Sequence, residues 1–217
     1  MKLKLAASAL TDLIFPPRCV LCGALVHSGN RICPGCAEKN PRVHAQKRIY
    51  LAGTGQTILC SVPYIYDGAV RQAIINFKFY GQVRAADFFG AQIAGEILNG
   101  AAFDFVTAVP ISAQRRRLRG YNQSELIAQA AAKRLGLPYR ECLVKTTDNK
   151  EQHKLSEKER RRNVQGVYAL KTEISGKNIL LLDDIVTTGA TLCECAGVLF
   201  QGGANKVACA AIAEVEL

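Results

Sequence analysis

Tryptophan is absent from this 217-residue chain, methionine occurs once and histidine three times. The histidines are His27, His44 and His153, and only His153 falls in the larger C-terminal part. No Ser-His-Asp or Cys-His-Asp arrangement stands out, so amidotransferase chemistry has no support. No stretch approaches the roughly 18 uninterrupted apolar residues that a membrane-crossing helix needs. No secretory signal is expected at this start either. Met1 to Phe15 carries Lys2 and Lys4, but Asp12 interrupts its apolar stretch and Pro16-Pro17 follows without a small-residue cleavage site. Acidic residues are few, 18 against 28 Lys and Arg, which leaves a net charge of +10 and a pI near 9.3. That balance suits a phosphorylated ligand, a nucleic acid or an anionic membrane surface, and equally a solvated positive face. Repeats and low-complexity segments are absent. With 49% hydrophobic and 21% charged residues, the composition excludes disorder and fibres and suffices for one sizeable α/β core with a small appendage.

Cysteine is the residue in excess: there are nine. Without a secretory signal the expected compartment is a reducing cytoplasm, where clustered cysteines read first as metal ligands. Cys19-x-x-Cys22 and Cys33-x-x-Cys36 form two knuckles separated by ten residues. Each presents two sulfurs, and together they complete a tetrahedral Zn²⁺ shell. The segment around them is rich in Cys, Gly and Pro and is too small to fold unaided, so zinc supplies the organising energy. A closed shell of four thiolates has no open position, which points to scaffolding. His27 and His44 are alternative ligands. Cys60, Cys142, Cys193, Cys195 and Cys209 lie in strand or helix patterns and read as small core residues.

Along the chain, Leu3 to Phe15 has helical apolar spacing and ends at Pro16-Pro17, giving an N-terminal helix over 1–17. The cysteine module occupies 18–45, and a linker containing Gly53 and Gly55 follows. Beyond it, strands are expected at 58–66, 103–109, 141–145, 166–170, 179–182 and 207–215, and helices at 69–79, 83–98, 122–135 and 188–201. Ser112 to Gly120 reads as a basic loop. Aliphatic strands alternating with helices predict an α/β fold with a mostly parallel sheet flanked by helices. Ligands of such sheets sit beyond the C-terminal strand ends, where Val109-Pro110 and Asp183-Asp184 fall.

The run Ile179-Leu180-Leu181-Leu182-Asp183-Asp184-Ile185-Val186-Thr187-Thr188-Gly189-Ala190-Thr191 carries the most chemistry. An aliphatic strand delivers two carboxylates, which accept hydrogen bonds from ribose hydroxyls and can help hold Mg²⁺. A turn then opens a helix whose free N–H groups and dipole suit a phosphate dianion. The alternative is an ordinary strand–turn–helix junction with Thr and Asp as caps.

This run resembles the phosphoribosyl-pyrophosphate (PRPP) signature of type I phosphoribosyltransferases. Further motifs are similar to those of the ComF family, which joins an N-terminal cysteine module to a phosphoribosyltransferase-like domain, here residues 58–217. They are Phe77-Lys78-Phe79-Tyr80-Gly81, Val109-Pro110, Arg115-Arg116-Arg117-x-Arg119-Gly120-Tyr121-Asn122-Gln123-x-Glu125-Leu126, and Gln152-x-x-Leu155-x-x-x-x-Arg160-x-x-Asn163-Val164. The resemblance implies that Asp183 and Asp184 contact ribose and serve catalysis, that Thr187, Thr188, Gly189, Ala190 and Thr191 bind the 5′-phosphate, and that Mg²⁺ accompanies PRPP. It implies a place in DNA uptake during natural competence beside a DNA translocase, or an orphan phosphoribosyltransferase whose acceptor is unnamed.

Arg115, Arg116, Arg117 and Arg119 repel one another when close together, which a bound anion would relieve. Pyrophosphate, a nucleic-acid backbone or solvent could meet them. Glu151 to Asn163, with Arg160-Arg161-Arg162, reads either as a loop that closes over the site or as a mixed-charge exposed helix. Tyr121, Tyr80 and Phe79 either stack on bases or pack in the core. The alternative to a PRPP site is therefore a non-enzymatic platform that keeps the fold and binds single-stranded DNA and a translocase.

Overall fold

The computed structural model describes residues 16–51, 57–97, 103–147 and 166–216. The helix expected at Leu3 to Phe15 and the stretch Glu151 to Asn163, with Arg160 to Arg162, lie outside the described residues. The first element is a short helix, α1 (Pro34–Lys39), which carries the second cysteine knuckle. Strands β1 (Ala45–Tyr50), β2 (Thr57–Val62) and β3 (Tyr64–Ile65) follow. Helices α2 (Gly68–Phe79) and α3 (Ala85–Ile97) lead to β4 (Phe105–Ala108). Next come α4 (Ala113–Arg119), α5 (Gln123–Leu135), β5 (Leu143–Lys145) and β6 (Tyr168–Leu170). Strand β7 (Asn178–Val186), helix α6 (Ala190–Gln201) and strand β8 (Lys206–Glu214) complete the described chain.

The main sheet has the order β1-β2-β8-β7-β4, with β3 also paired to β8. Every pairing in it is parallel except β1 with β2. The mostly parallel α/β expectation therefore holds, with an antiparallel edge strand added. Strands β5 and β6 form a separate two-stranded sheet.

Strand β7 explains the layering. Ile179, Leu180, Leu181 and Leu182 are all fully buried, so both faces of the strand are covered, as a continuous aliphatic run requires. Leu180 and Leu182 join Val70, Phe77, Phe89 and Ile127 from α2, α3 and α5. Ile179 and Leu181 join Leu192, Cys195 and Leu199 from α6, with Leu143 and Tyr168 of the small sheet. Helices α3 and α5 approach closely because Gly90 has no side chain: a Cβ there would lie 2.6 Å from that of Ala130. The cysteine module joins the first of these cores through Cys19, Leu21 and Cys36.

Three expectations need correction. Ser112 to Gly120 is a helix, not a loop. Ser112 caps it by accepting from the Arg115 backbone N–H, and Gly120 ends it in the left-handed region. The strand expected at 58–66 is two strands that flank Pro63, since proline has no N–H for the ladder. The strand carrying the acids runs past them to Val186, because β8 goes on pairing through Val186↔Glu214.

Candidate functional site

Asp183 and Asp184 sit where β7 loses one neighbour. The last register pair with β4 is Ala108↔Leu182, whereas β8 still pairs with Asp183. This step in the sheet forms a notch in the strand ladder between the acids and the Val109-Pro110 segment, where Val109 N–H stays bonded to Leu182 O at 2.9 Å. Each acid has a partner from another element. The Lys78 ammonium, in the last turn of α2, lies 2.7 Å from Asp184 Oδ2. The Ser124 hydroxyl, at the start of α5, donates to Asp183 Oδ1 at 2.9 Å, and the Asp184 backbone N–H donates to the same oxygen at 2.8 Å.

These contacts set the charge of the site. Burial first, and the neighbouring Asp184 carboxylate second, push the Asp183 carboxyl up to about 7, against the pull of its two hydrogen bonds and of Lys78. For Lys78 burial favours the neutral amine, but Asp184 outweighs it and holds the ammonium above its ordinary value.

The side chains around the notch come from one buried polar run. Asn122, Gln123 and Ser124 are each less than 5% exposed. Asn122 Nδ2 donates to Val109 O at 3.0 Å, and its Oδ1 caps α5 at the Ser124 N–H. Gln123 Nε2 donates to Lys78 O at 3.2 Å. The Tyr121 hydroxyl donates to Phe77 O, and the two rings stack with centroids 5.9 Å apart. Tyr121 is thus a packing residue. Phe79 and Tyr80, by contrast, are 61% and 72% exposed.

After β7 comes the proposed phosphate turn, Thr187 to Thr191. Gly189 takes φ +80° at the N-cap of α6, a conformation costly for any residue with a Cβ. A Cβ there would also meet Ile49 Cγ1 of β1 at 3.0 Å. The Thr188 hydroxyl accepts from the Ala190 N–H at 3.4 Å, and the first N–H groups of a helix have no intrahelical acceptor.

The four arginines lie on α4 rather than in a loop, so Arg115, Arg116 and Arg117 point about 100° apart around its axis. Arg116 meets Glu125 at 3.0 Å and Glu141 at 3.7 Å. The Arg119 guanidinium lies 4.9 Å over the Phe79 ring and bonds Gln123 at 3.5 Å. Helical geometry and these acidic partners reduce the mutual repulsion that the sequence suggested.

Elsewhere, the thiolate-forming sulfurs of Cys19, Cys22, Cys33 and Cys36 all lie within 4.8 Å of one another. The Sγ atoms of Cys22 and Cys33 are 3.7 Å apart. A tetrahedral zinc with Zn–S bonds of about 2.3 Å puts its sulfurs about 3.8 Å apart, so the cluster fits the ion. Burial opposes ionisation of Cys19, but the backbone N–H groups of Cys22, Cys33 and Leu21 outweigh it and bring the thiol down to about 7. His44 is not part of the cluster and meets Glu96 at 3.0 Å instead; His27 is exposed outside it. Cys60, Cys142, Cys195 and Cys209 are buried as expected, and Cys193 is half-buried. A cavity of about 640 Å³ lies between this cluster and the β3–α2 turn, at the opposite end of α2 from Lys78.

Comparison with known proteins fits both parts. Residues 10–47 match the double zinc ribbon domain and residues 122–216 the phosphoribosyl transferase domain. The DNA utilization protein YhgH of Escherichia coli K12 is 34% identical over 198 residues, 87% of this chain and 86% of that protein. This chain belongs to the ComF/YhgH family. The Escherichia coli O157:H7 protein of the same name matches at 35% over 105 residues, which is 46% of its own length. The competence protein ComFC of Streptococcus pneumoniae is 28% identical over 182 residues, 82% of this chain and 79% of that one. A solved adenine phosphoribosyltransferase overlays with a TM-score of 0.41 and 13% identity, over 79% of this chain and 86% of that one, too loosely to add to the argument.

In this ComF/YhgH chain, residue reasoning missed Lys78, Asn122, Gln123 and Ser124 as site residues. Two motifs contain them, but only the packing shows that both converge on the acids.

Two outcomes follow from the geometry. Asp183 ordinarily titrates near 3.8 and here near 7. Between those values the folded chain holds a proton that the unfolded chain has lost, so this group's contribution to stability falls as pH rises through the window. Asp183→Asn removes that contribution: its denaturation midpoint should decline less between pH 4 and pH 7 than the wild type's, and parallel curves would contradict the assignment. Elemental analysis should find about one zinc per wild-type chain. Cys33→Ser should lose it and melt several degrees lower, because Cys19, Leu21 and Cys36 belong to the main core.

Proposed function

We propose that this protein binds Mg²⁺–PRPP, or a closely related phosphorylated pentose, at the end of β7. The observation that carries the reading is the succession of parts in the notch. Asp183 and Asp184 stand beside the end of β4, and a left-handed Gly189 then opens α6. In this reading the carboxylates accept hydrogen bonds from the ribose hydroxyls. The turn from Thr187 to Thr191 takes the 5′-phosphate on backbone N–H groups. Mg²⁺, a hard cation that suits carboxylate and phosphate oxygens, fits the donor set and would neutralise the pyrophosphate. Any transfer would be displacement at the anomeric carbon with the departing pyrophosphate stabilised by cations. The names of its relatives support a role in DNA utilization or competence. Nine free cysteines favour a reducing compartment, hence the cytoplasm.

Calorimetric titration of the full chain with PRPP and Mg²⁺ tests the binding. Saturable heat is expected, and the Asp183→Asn plus Asp184→Asn variant should bind at least about tenfold more weakly, since each charged hydrogen bond contributes ~1.5–3 kcal/mol. Absence of heat with the wild type overturns the proposal.

A second reading, binding of single-stranded DNA at the same rim, has its own support. Phe79, Tyr80 and Leu118 are exposed together by 61–80%, and Arg119 lies over Phe79. Exposed rings with a guanidinium over one of them suit stacking of successive bases. Affinity for a fluorescent oligonucleotide should fall steeply with salt. Phe79→Ala plus Tyr80→Ala should weaken it by about tenfold or more, as loss of ~1–3 kcal/mol per stacked base implies. Unchanged affinity rejects this surface.

A further inference from the structure

We infer that Lys78 is a tethered cation that keeps free divalent metal off the acid pair, so that metal enters the site only together with a phosphorylated ligand. The inference deepens the PRPP reading and rests on it for the identity of the ligand, though not for the behaviour of the acids toward metal.

The geometry is specific. Lys78 Nζ stands 2.7 Å from Asp184 Oδ2, and both side chains are mostly shielded, 21% and 13% exposed. The base of the lysine is anchored on three sides. Gln123 holds its own carbonyl, the Tyr121 hydroxyl holds the carbonyl of Phe77, and the rings of Phe77 and Tyr121 stack. The last turn of α2 thus stays close to the notch, and the ammonium remains within reach of the acids.

One oxygen of each carboxylate is correspondingly engaged. Asp184 Oδ2 meets the ammonium. Asp183 Oδ1 accepts from the Ser124 hydroxyl and from the Asp184 N–H. A hard divalent ion needs carboxylate oxygens and gives up water reluctantly. Here it would have to compete for those oxygens and approach a fixed positive charge a few ångströms away. A pyrophosphate changes both conditions. It brings its own anionic oxygens for the metal, and it gives the ammonium a new acceptor in place of Asp184, which is released to the metal or to a ribose hydroxyl. Lysine suits this exchange, since its ammonium is a point charge on a flexible stem with three rotatable donors.

The test uses the full zinc-loaded chain and Mn²⁺ as the probe, with free Mn²⁺ followed by electron paramagnetic resonance. Wild type and Lys78→Arg should take up Mn²⁺ weakly when it is offered alone. Lys78→Met keeps the aliphatic stem and removes the charge, and should bind Mn²⁺ at least about tenfold more tightly. Adding Asp184→Asn to that variant should abolish the gain. Equal affinities of wild type and Lys78→Met overturn the inference. So does tight Mn²⁺ uptake by the wild type that Asp184→Asn removes, a result that needs no lysine variant to fold. If PRPP gives no heat while Lys78→Met gains Mn²⁺, the role of Lys78 stands and the PRPP reading fails; if PRPP binds and Lys78→Met gains nothing, the inference alone fails.

Discussion

Buried polar side chains have to find hydrogen-bond partners, and few of their positions satisfy that demand. In Asn122-Gln123-Ser124 the demand is met by three different elements. Asn122 holds the end of β4, Gln123 holds the last turn of α2, and Ser124 holds Asp183 of β7. One short run at the start of α5 thereby ties together three parts of the chain that are remote in sequence. These bonds hold the chain just past β4, the last turn of α2 and Asp183 together around the notch that the end of the β4–β7 register leaves. Losing any one of them would leave a buried donor or acceptor without its partner, a cost of about 1–3 kcal/mol each, so the geometry of the acids and the stability of the fold are held by the same contacts.

The same economy appears in the electrostatics. Two carboxylates side by side in a partly desolvated place repel each other. The protein does not neutralise both with cations. It gives Asp184 a lysine and leaves Asp183 with neutral donors, and burial, with the Asp184 carboxylate beside it, raises the Asp183 carboxyl to about 7 against those donors. A site so balanced responds to any added positive charge, whereas the turn that opens α6 close by presents helix N–H groups, which favour anions.

Much of this was legible before any coordinates. The cysteine spacing announced its cluster, because two short knuckles can bring four sulfurs to one ion. The aliphatic run of β7 announced a doubly covered strand, and the helices at 69–79 and 122–135 lie within a residue of their expected bounds. What stayed hidden was non-local. Ala45 to Tyr50 alternates weakly and carries Lys47 and Arg48, so its strand character depends on pairing with β2. The basic segment at 113–119 reads as a loop because four arginines in seven residues leave no apolar face, although Ser112 and Gly120 mark its two ends. The Lys78–Asp184 pair could not be read at all, since nothing in either motif says that they meet.

The cysteine cluster has a consequence for how the molecule comes apart. Cys19 and Cys36 share a core with Phe77, Phe89 and Ile212, and Arg42, just beyond α1, bonds Glu96 of α3. The N-terminal piece is therefore welded to the larger body, not hung from it by a tether. A chain trimmed to begin at β2 would lose the apolar roof of α2 and the edge strand whose Ile49 backs the Gly189 turn. Zinc bound some distance from the acids thus sets the rigidity of the ground on which they stand.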